Sequence, residues 1–301
     1  MELNERLSEV LEETGAVAFG ISPLHPVEDQ EWKYFLRWID AGMHAGMKYM
    51  ENYPEIRRDP RLLIPGAQSI ISIAFNYRQP NPFSGIATYA LGKDYHKAIR
   101  RRLKKVVGAV KQEFGGEWRI CIDSAPVLER YWARKCGVGE RSGIHGNIIV
   151  PGVGSMVFLA ELVTTLPLEP YSSHFFETNR DTPETIEDPL SDCTVCKNGA
   201  LQPGGLLDSC RCINYLTIEH KGEFDDDQKK LAGQSIFGCD RCLRIAPENR
   251  LPAPPVIAEL SPMPLLKEFL SGEEVDFNLS ESPLGRCDHT NLRRRIPSRV
   301  K

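Results

Sequence analysis

The stretch SIISIAFNY, residues 69–77, reads as a buried β-strand. It is apolar, rich in β-branched side chains and of strand length, and a Pro- and Gly-rich segment closes it. Further strand-like runs lie at 15–22, 118–123, 147–150 and 155–164. We therefore predict strands at these positions.

Helical patterns alternate with these strands. Residues 2–14, 29–50, 94–113 and 126–135 have the character of helices, with apolar side chains spaced to bury one face. The alternation continues over the first ~165 residues and predicts an α/β (α+β) layer fold.

The character of the chain changes after residue 166. Residues 166–210 are loop-rich and contain five prolines, and residues 250–265 contain five more. Because proline interrupts both helices and sheet ladders, we expect 250–265 to be extended and to form a tail laid over the body. The predicted parts are a body at 1–185, a loop-rich part at 186–255 and a tail at 256–301.

Composition limits the class of protein. A chain of 301 residues can bury a full core, so its nine cysteines are not needed as staples. The N-terminus is charged and amphipathic without an uninterrupted apolar run, which predicts a cytoplasmic protein with no membrane partner. In that compartment the cysteines favour reduced thiols or a metal over disulfides.

The charge is unevenly distributed. The net charge is −4, which alone does not suggest a nucleic-acid binder, yet residues 93–105 hold seven Lys or Arg. This basic helix is either a solvated face or a local site for phosphate groups.

The cysteines form a layout typical of metal sites. Two short pairs, Cys193-x2-Cys196 and Cys239-x2-Cys242, enclose Cys210 and Cys212. Such spacing is found in iron–sulfur proteins and in zinc sites.

The layout departs from the two-cluster ferredoxin pattern C-x2-C-x2-C-x3-C-P, in which the last cysteine of each run crosses to the other cluster. Here Cys196 is followed by KNGAL, and Ala246 stands in place of the second crossing cysteine. The pattern then assigns Cys193 and Cys196 to an incomplete first cluster, and leaves three thiolates for a second: Cys212, Cys239 and Cys242. Cys210 is a candidate substitute ligand.

Two other interpretations of the cysteines stay open. A tetrahedral zinc would use Cys193, Cys196, Cys239 and Cys242. Alternatively, the cysteines are buried as small hydrophobic residues in a fold that carries no metal.

Several stretches together resemble the epoxyqueuosine reductase family, whose members use cobalamin and iron–sulfur clusters to finish queuosine in tRNA. The most specific is CIDSAPVLERYWARKCGVG at 121–139, which is similar to the family segment D-S-x-P-V-x-E-R. The other stretches, in the family's order, are 57–77, 93–103, 154–168, 211–222, 236–242 and 281–286. The resemblance implies a cobalamin-binding body at 1–185 and a small ferredoxin-like part at 186–255.

The resemblance also implies roles for single residues. Asp123 would be the proton donor to the substrate, although Asp or Ser at the start of a helix is also a common N-cap. The implied cofactor-binding residues are Arg57, Asp94, Tyr95, His96, Asn147, Asn214 and Asp240. The implied ligands of [4Fe-4S] clusters are Cys193, Cys196, Cys212, Cys239 and Cys242. One cluster is expected, and the missing ligands put the presence of a further cluster in doubt.

The expected activity is reductive deoxygenation of epoxyqueuosine to queuosine in tRNA, with electrons passing through iron–sulfur clusters to cobalamin. The implied partners are the tRNA anticodon stem-loop and an external electron donor, for a monomeric protein. The alternative is a paralogue that has lost catalysis and binds cobalamin or RNA only.

Overall fold

The computed structural model describes residues 2–143, 145–174, 195–202 and 206–287, together with Leu292, Arg295 and Ile296. The α-helices are α1 (Leu3–Glu12), α2 (Asp29–Asp40), α3 (Pro54–Arg58), α4 (Tyr95–Phe114), α5 (Glu129–Lys135), α6 (Asp226–Ala232) and α7 (Leu266–Leu270). The strands are β1 (Ala18–Pro23), β2 (Ser69–Asn76), β3 (Trp118–Cys121), β4 (Glu140–Arg141), β5 (Ile148–Ile149), β6 (Val157–Thr164), β7 (Tyr171–His174), β8 (Leu201–Gln202) and β9 (Leu206–Leu207). Several short 3-10 turns connect them.

A five-stranded sheet in the order β3-β6-β2-β1-β7 organises the body. Every neighbouring pair in it is antiparallel. The fold is therefore mixed α/β of the α+β kind, because the helices cover an antiparallel sheet and do not connect parallel strands. β2, the stretch quoted first, lies at the centre and is buried along its whole length.

The two faces of the sheet bury different helices, as the two-residue period of the strands requires. Ile71 and Ile73 of β2 face α1 and α4. Ile70 of β2 and Val163 of β6 face α5, where Trp132 is fully buried. The loop from β3 to α5 therefore passes from the edge of the sheet to its second face.

The predicted helix at 29–50 is wrong in its second half, because α2 ends at Asp40. Gly42 and Ala45 both have left-handed backbones, with φ of +65° and +53°. Such a backbone cannot continue a right-handed helix. The chain instead forms turns and a short 3-10 segment at Lys48–Glu51.

The proline-rich segment after residue 249 runs along the body. The Arg78 guanidinium donates to the carbonyls of Asn249 and Leu251 at 2.9 and 2.7 Å. Further along, the backbone N–H of Lys93 donates to the Glu259 carbonyl at 2.7 Å. These contacts lay the segment across the loops before α4.

Within the described ranges, no helix is long and apolar enough to cross a membrane.

Candidate active site

Asp123 lies in the loop between β3 and α5 with a left-handed backbone, φ +50°, that aspartate adopts only occasionally. Its side chain is 61% exposed, so the carboxylate opens into a recess and is not packed into the core. The backbone N–H of Asp123 donates to Glu129 Oε1 at 2.5 Å, which holds the loop. Leu128 occupies the N-cap of α5 without a side-chain cap, so the alternative role of Asp123 as a cap for this helix is not realised.

Two side chains from the first turn of α4 point at the Asp123 carboxylate. Tyr95 OH donates to Oδ2 at 2.6 Å, and His96 Nε2 lies 3.6 Å from the same oxygen. The Tyr95 ring stacks on Phe158 with centroids 4.0 Å apart, which fixes its direction. Asp94 caps the helix at the His96 N–H and lies 2.9 Å from His96 Nδ1. The segment Asp94–His96, predicted to bind the cofactor, is thus arranged around Asp123.

Electrostatics keep a proton close to this carboxylate. The surrounding protein would by itself raise the pKa of Asp123, but the neighbouring His96 and a hydrogen bond from Tyr95 outweigh it and lower that pKa. Burial would lower the pKa of His96, but its contacts with Asp123 and Asp94 raise that pKa above the ordinary histidine value. The arrangement favours an ionised Asp123 beside a protonated His96.

A pair of glutamates lies beneath the Asp123 loop, and the sequence analysis did not single it out. Glu161 of β6 is fully buried, accepts from Ser72 Oγ at 3.3 Å and interacts with the Glu129 side chain. Burial, with the charge of Asp123, raises the pKa of Glu129 to about 8. Burial, with Glu129, raises the pKa of Glu161 well above its usual range. Two carboxyl groups in contact, one of them fully buried, do not both ionise readily, so the pair holds a proton at neutral pH.

The far side of the recess also carries residues that were missed. Arg130 of α5 interacts electrostatically both with Asp123 and with the Cys242 thiol, so it lies near both the carboxylate and the cysteines. Tyr49 hydrogen-bonds to Glu219, and burial, with a smaller effect of the Asp123 charge, raises the pKa of each. Arg130 had a signal in the segment D-S-x-P-V-x-E-R, whereas Tyr49 lies in a turn that no motif marks.

Four thiols from three chain segments converge beside this recess. Nearby charges from Cys196, Cys212 and Cys239 add to the effect of burial in raising the pKa of Cys242 to about 12. Cys196 also contributes to the raised pKa values of Cys212 and Cys239, again after burial. The structure therefore brings Cys196 to Cys212, Cys239 and Cys242, although the ferredoxin pattern assigned it to the other cluster.

Two of the predicted cofactor-binding residues position the cysteine loop. Asn214 Oδ1 accepts from the Cys239 N–H at 2.7 Å. Asp240 Oδ2 accepts from both the N–H and the hydroxyl of Thr88, each at 2.7 Å. These bonds tie the loop of Cys239 to the body.

The remaining predicted cofactor-binding residues are Arg57 and Asn147. Arg57 is buried and donates to the carbonyls of Asn52 and Tyr49 at 3.1 and 3.0 Å, so it shapes the turn that carries Tyr49. Asn147 lies in the connection between β4 and β5, where its N–H donates to His145 Nδ1 at 3.1 Å. Its role in cofactor binding stays a prediction.

Cys193, a predicted ligand in both metal interpretations, lies outside the described residues. Cys210 is exposed, and its N–H donates to Asp208 at 3.0 Å. Among the residues that the structure describes, no three His, Cys, Asp or Glu side chains are close enough to hold a single metal ion. The predicted zinc set includes Cys193 and so is only partly described.

A carboxylate with two neighbouring donors, together with converging thiols, is the kind of site expected of an oxidoreductase, which needs sources of both protons and electrons. Comparison with known proteins identifies the group within this class. The family model "Epoxyqueuosine reductase QueG, DUF1730" matches residues 57–124, and "4Fe-4S double cluster binding domain" matches residues 192–249.

The full-length relatives agree. An epoxyqueuosine reductase of Leadbetterella byssophila is 36% identical over 248 residues, which cover 79% of this chain and 78% of the relative. The Escherichia coli epoxyqueuosine reductase is 33% identical over 86% of this chain and 71% of its own length. The chain belongs to the epoxyqueuosine reductase family, as the sequence motifs predicted.

Solved structures match the whole fold. A crystal structure of an epoxyqueuosine reductase with an epoxyqueuosine-modified tyrosine tRNA stem loop has a TM-score of 0.78 at 26% identity, covering 98% of this chain and 80% of the other. The predicted mixed α/β architecture is confirmed.

Proposed function

We propose that this chain reduces epoxyqueuosine in tRNA to queuosine. Curated relatives at about 35% identity carry this activity in their names, and one similar structure holds an epoxyqueuosine-modified tRNA stem loop. The observation that carries the proposal is the arrangement at Asp123: an open carboxylate with Tyr95 and His96 directed at one of its oxygens.

The reaction removes the epoxide oxygen as water and therefore consumes two electrons and two protons. An epoxide oxygen leaves easily only if it is protonated as its carbon–oxygen bond breaks. His96 holds a proton with its Nε2 3.6 Å from Oδ2 of the ionised Asp123, and this proton passes to Asp123, which faces the recess, and from Asp123 to the leaving oxygen. Tyr95 holds the carboxylate in position throughout.

The residues around the recess fit a redox cofactor. Asp123 and Arg130 are both exposed, and Arg130 interacts electrostatically with Asp123 and with Cys242. A group bound against the exposed Arg130 would therefore lie near both the carboxylate and the Cys242 thiol. Cobalamin, which the family resemblance implies, would supply the electrons and the reactive metal there. Arg130 and Tyr49 would line its site.

The substitution Asp123→Asn tests the acid. It keeps the size and the hydrogen bond with Tyr95 but removes the proton, so we expect conversion of epoxyqueuosine in tRNA to fall about 10²–10⁴-fold. Nucleoside analysis of digested tRNA by mass spectrometry measures the conversion. Cobalamin affinity, measured by equilibrium dialysis, should stay nearly unchanged.

Asp226→Asn is the matched control, because this carboxylate lies on α6 and is 88% exposed. It should convert epoxyqueuosine as the unsubstituted protein does. Equal conversion by the Asp123→Asn protein would remove Asp123 from the mechanism.

A further inference from the structure

The four converging thiols come from separate parts of the chain. Cys196 lies before β8, Cys212 follows the 3-10 turn Ser209–Arg211, and Cys239 and Cys242 lie in the loop after α6. Hydrogen bonds between Asn198 and Arg211 bring the segment of Cys196 to that of Cys212, and the bond from the Cys239 N–H to Asn214 Oδ1, 2.7 Å, brings the segment of Cys212 to the loop of Cys239 and Cys242. Four thiols placed in this way give the number of ligands that a cubane iron–sulfur cluster requires.

Their surroundings suit thiolates bound to a cluster. The backbone N–H groups of Asn214 and Tyr215 are directed at the Cys212 sulfur, and that of Arg241 at the Cys239 sulfur. Hydrogen bonds of this kind stabilise cluster thiolates.

The chain does not offer a second complete set. Ala246, where the crossing cysteine would fall, is 3% exposed and presents only a methyl group. Cys210 is the remaining described cysteine of the segment, and it is exposed, with its backbone turned to Asp208.

The backbone after Cys196 is closed without the missing residues. The Gly199 N–H donates to the Cys196 carbonyl at 2.8 Å, forming a tight turn. Arg211 Nε donates to the Asn198 carbonyl at 2.6 Å, and Asn198 Nδ2 donates to the Leu231 carbonyl at 2.9 Å. This turn places Cys196 beside Cys212, where the ferredoxin pattern would have a crossing cysteine from a longer run.

We propose that this chain binds one [4Fe-4S] cluster, on Cys196, Cys212, Cys239 and Cys242, and no second cluster. It therefore departs from the double-cluster family model that matches residues 192–249. The electron-transfer role of the cluster rests on the proposed function, but its ligands and number do not.

Iron and sulfide content, measured after anaerobic reconstitution of the full chain, tests this proposal. We expect about four iron atoms and about four sulfides per chain, with the broad visible absorption of a cubane cluster. About eight iron atoms would show a second cluster and overturn the proposal, and so would two or fewer.

Serine variants test the ligand set. The Cys196→Ser protein should bind at most half as much iron as the unsubstituted protein. Alternatively, its cluster absorption should decay many times faster when a chelator is added. Cys210→Ser and Cys193→Ser are the controls and should keep the full content. Loss of iron from Cys193→Ser, or an unaffected Cys196→Ser protein, would overturn the assignment.

Circular dichroism checks that each variant is folded. Cys196→Ser and Cys210→Ser make the same chemical change, so a difference in iron content between them reflects the position of the cysteine. Because these measurements need no substrate, they separate the two proposals. A chain with about four iron atoms and no turnover would contradict the proposed function alone.

Discussion

At the scale of single residues, the glutamates beneath the Asp123 loop link stability to pH. Glu161 is fully buried between β2 and β3, and its Oε2 has no hydrogen-bond partner among the described residues. Glu129 contacts Glu161 and accepts a hydrogen bond from the Asp123 backbone N–H. The Asp123 loop therefore packs on a carboxyl pair that is stable only while it holds a proton.

The substitution Glu161→Gln should make stability less sensitive to alkaline pH. The pKa of Glu129 is raised to about 8 from 4.5, so its contribution to stability is present below pH 4.5 and is lost as pH rises towards 8. A neutral glutamine removes the repulsion, so the fall in Tm between pH 5 and pH 8.5 should shrink. Glu12→Gln, an exposed site on α1, should retain the full fall. The same slope in both variants would contradict the shared proton.

At the scale of elements, the loop of Cys239 and Cys242 depends on a close approach to the body. Gly238 has φ +73°, and a Cβ placed there would lie 2.6 Å from the Ala87 Cβ. The Gly238 N–H donates to Thr217 Oγ1 at 2.8 Å, which fixes the turn from inside. Both the backbone conformation and the space exclude a larger residue.

Gly238→Ala should therefore lower stability, by about 1–3 kcal/mol, and shift the cysteine loop. Gly108→Ala is the matched control, because Gly108 lies within α4 with nothing within 4 Å of an added Cβ. That variant should be more stable by up to about 1 kcal/mol. Urea unfolding of both proteins and cluster absorption of the first measure the effects. A Gly238→Ala protein with unchanged stability would contradict the prediction, because it would show that the loop can move to accommodate the added Cβ.

The local sequence pattern predicted the elements whose buried side chains recur at a regular spacing. β2, β6 and α4 agree with the predicted ranges to within about two residues, because each buries a regular set of apolar side chains. The end of α2 was missed because the apolar spacing continues past Asp40, while the left-handed turn at Gly42 and Ala45 interrupts the helix. β4 and β8 are two-residue strands, too short to show any period.

The candidate site was likewise predictable only in part from the sequence. Asp123 and its neighbours in D-Y-H lie in continuous motifs, so resemblance identified them. The position of Cys196 next to Cys212 depends on the turn at Asn198 and on contacts with Arg211, which connect distant parts of the chain. Spacing along the sequence does not contain that information.

At the scale of the whole molecule, the basic helix α4 holds the C-terminal tail against the body. Arg101 and Arg102 each donate to Glu259 at 2.6 Å, and Arg102 also donates to the Thr14 carbonyl at 2.9 Å. Two arginines of the basic helix, considered above as a site for phosphate groups, are therefore engaged within the protein. Lys104 and Lys105 are exposed on the same helix and remain proposed contacts for phosphate groups.

Glu259→Gln tests the anchoring of the tail. The Glu259 side chain is 16% exposed, so losing its charge should reduce the free energy of unfolding at pH 7 by about 1–2 kcal/mol. Burial would raise the pKa of Glu259, but Arg102 and Arg101 lower it to about 2. Its contribution is therefore present above the ordinary pKa of 4.5 and is lost as pH falls towards 2.

Urea unfolding at pH 7 and pH 3 measures how much stability the protein loses between these two pH values. This loss should be smaller in the Glu259→Gln protein. Glu117→Gln is the control, since its ion pair with Lys111 is exposed on both sides and should contribute little. Equal effects of the two substitutions would show that the tail is held by its apolar contacts alone.

The tight turn at Asn198 has a consequence for the timing of catalysis. A chain with two cubane centres can hold one electron on each, whereas the single centre proposed here would hold one. Deoxygenation consumes two electrons, so the second would have to be held on cobalamin bound in the recess or be brought by a further encounter with the reductant. The number of reductant encounters in each turnover would then depend on whether cobalamin is bound.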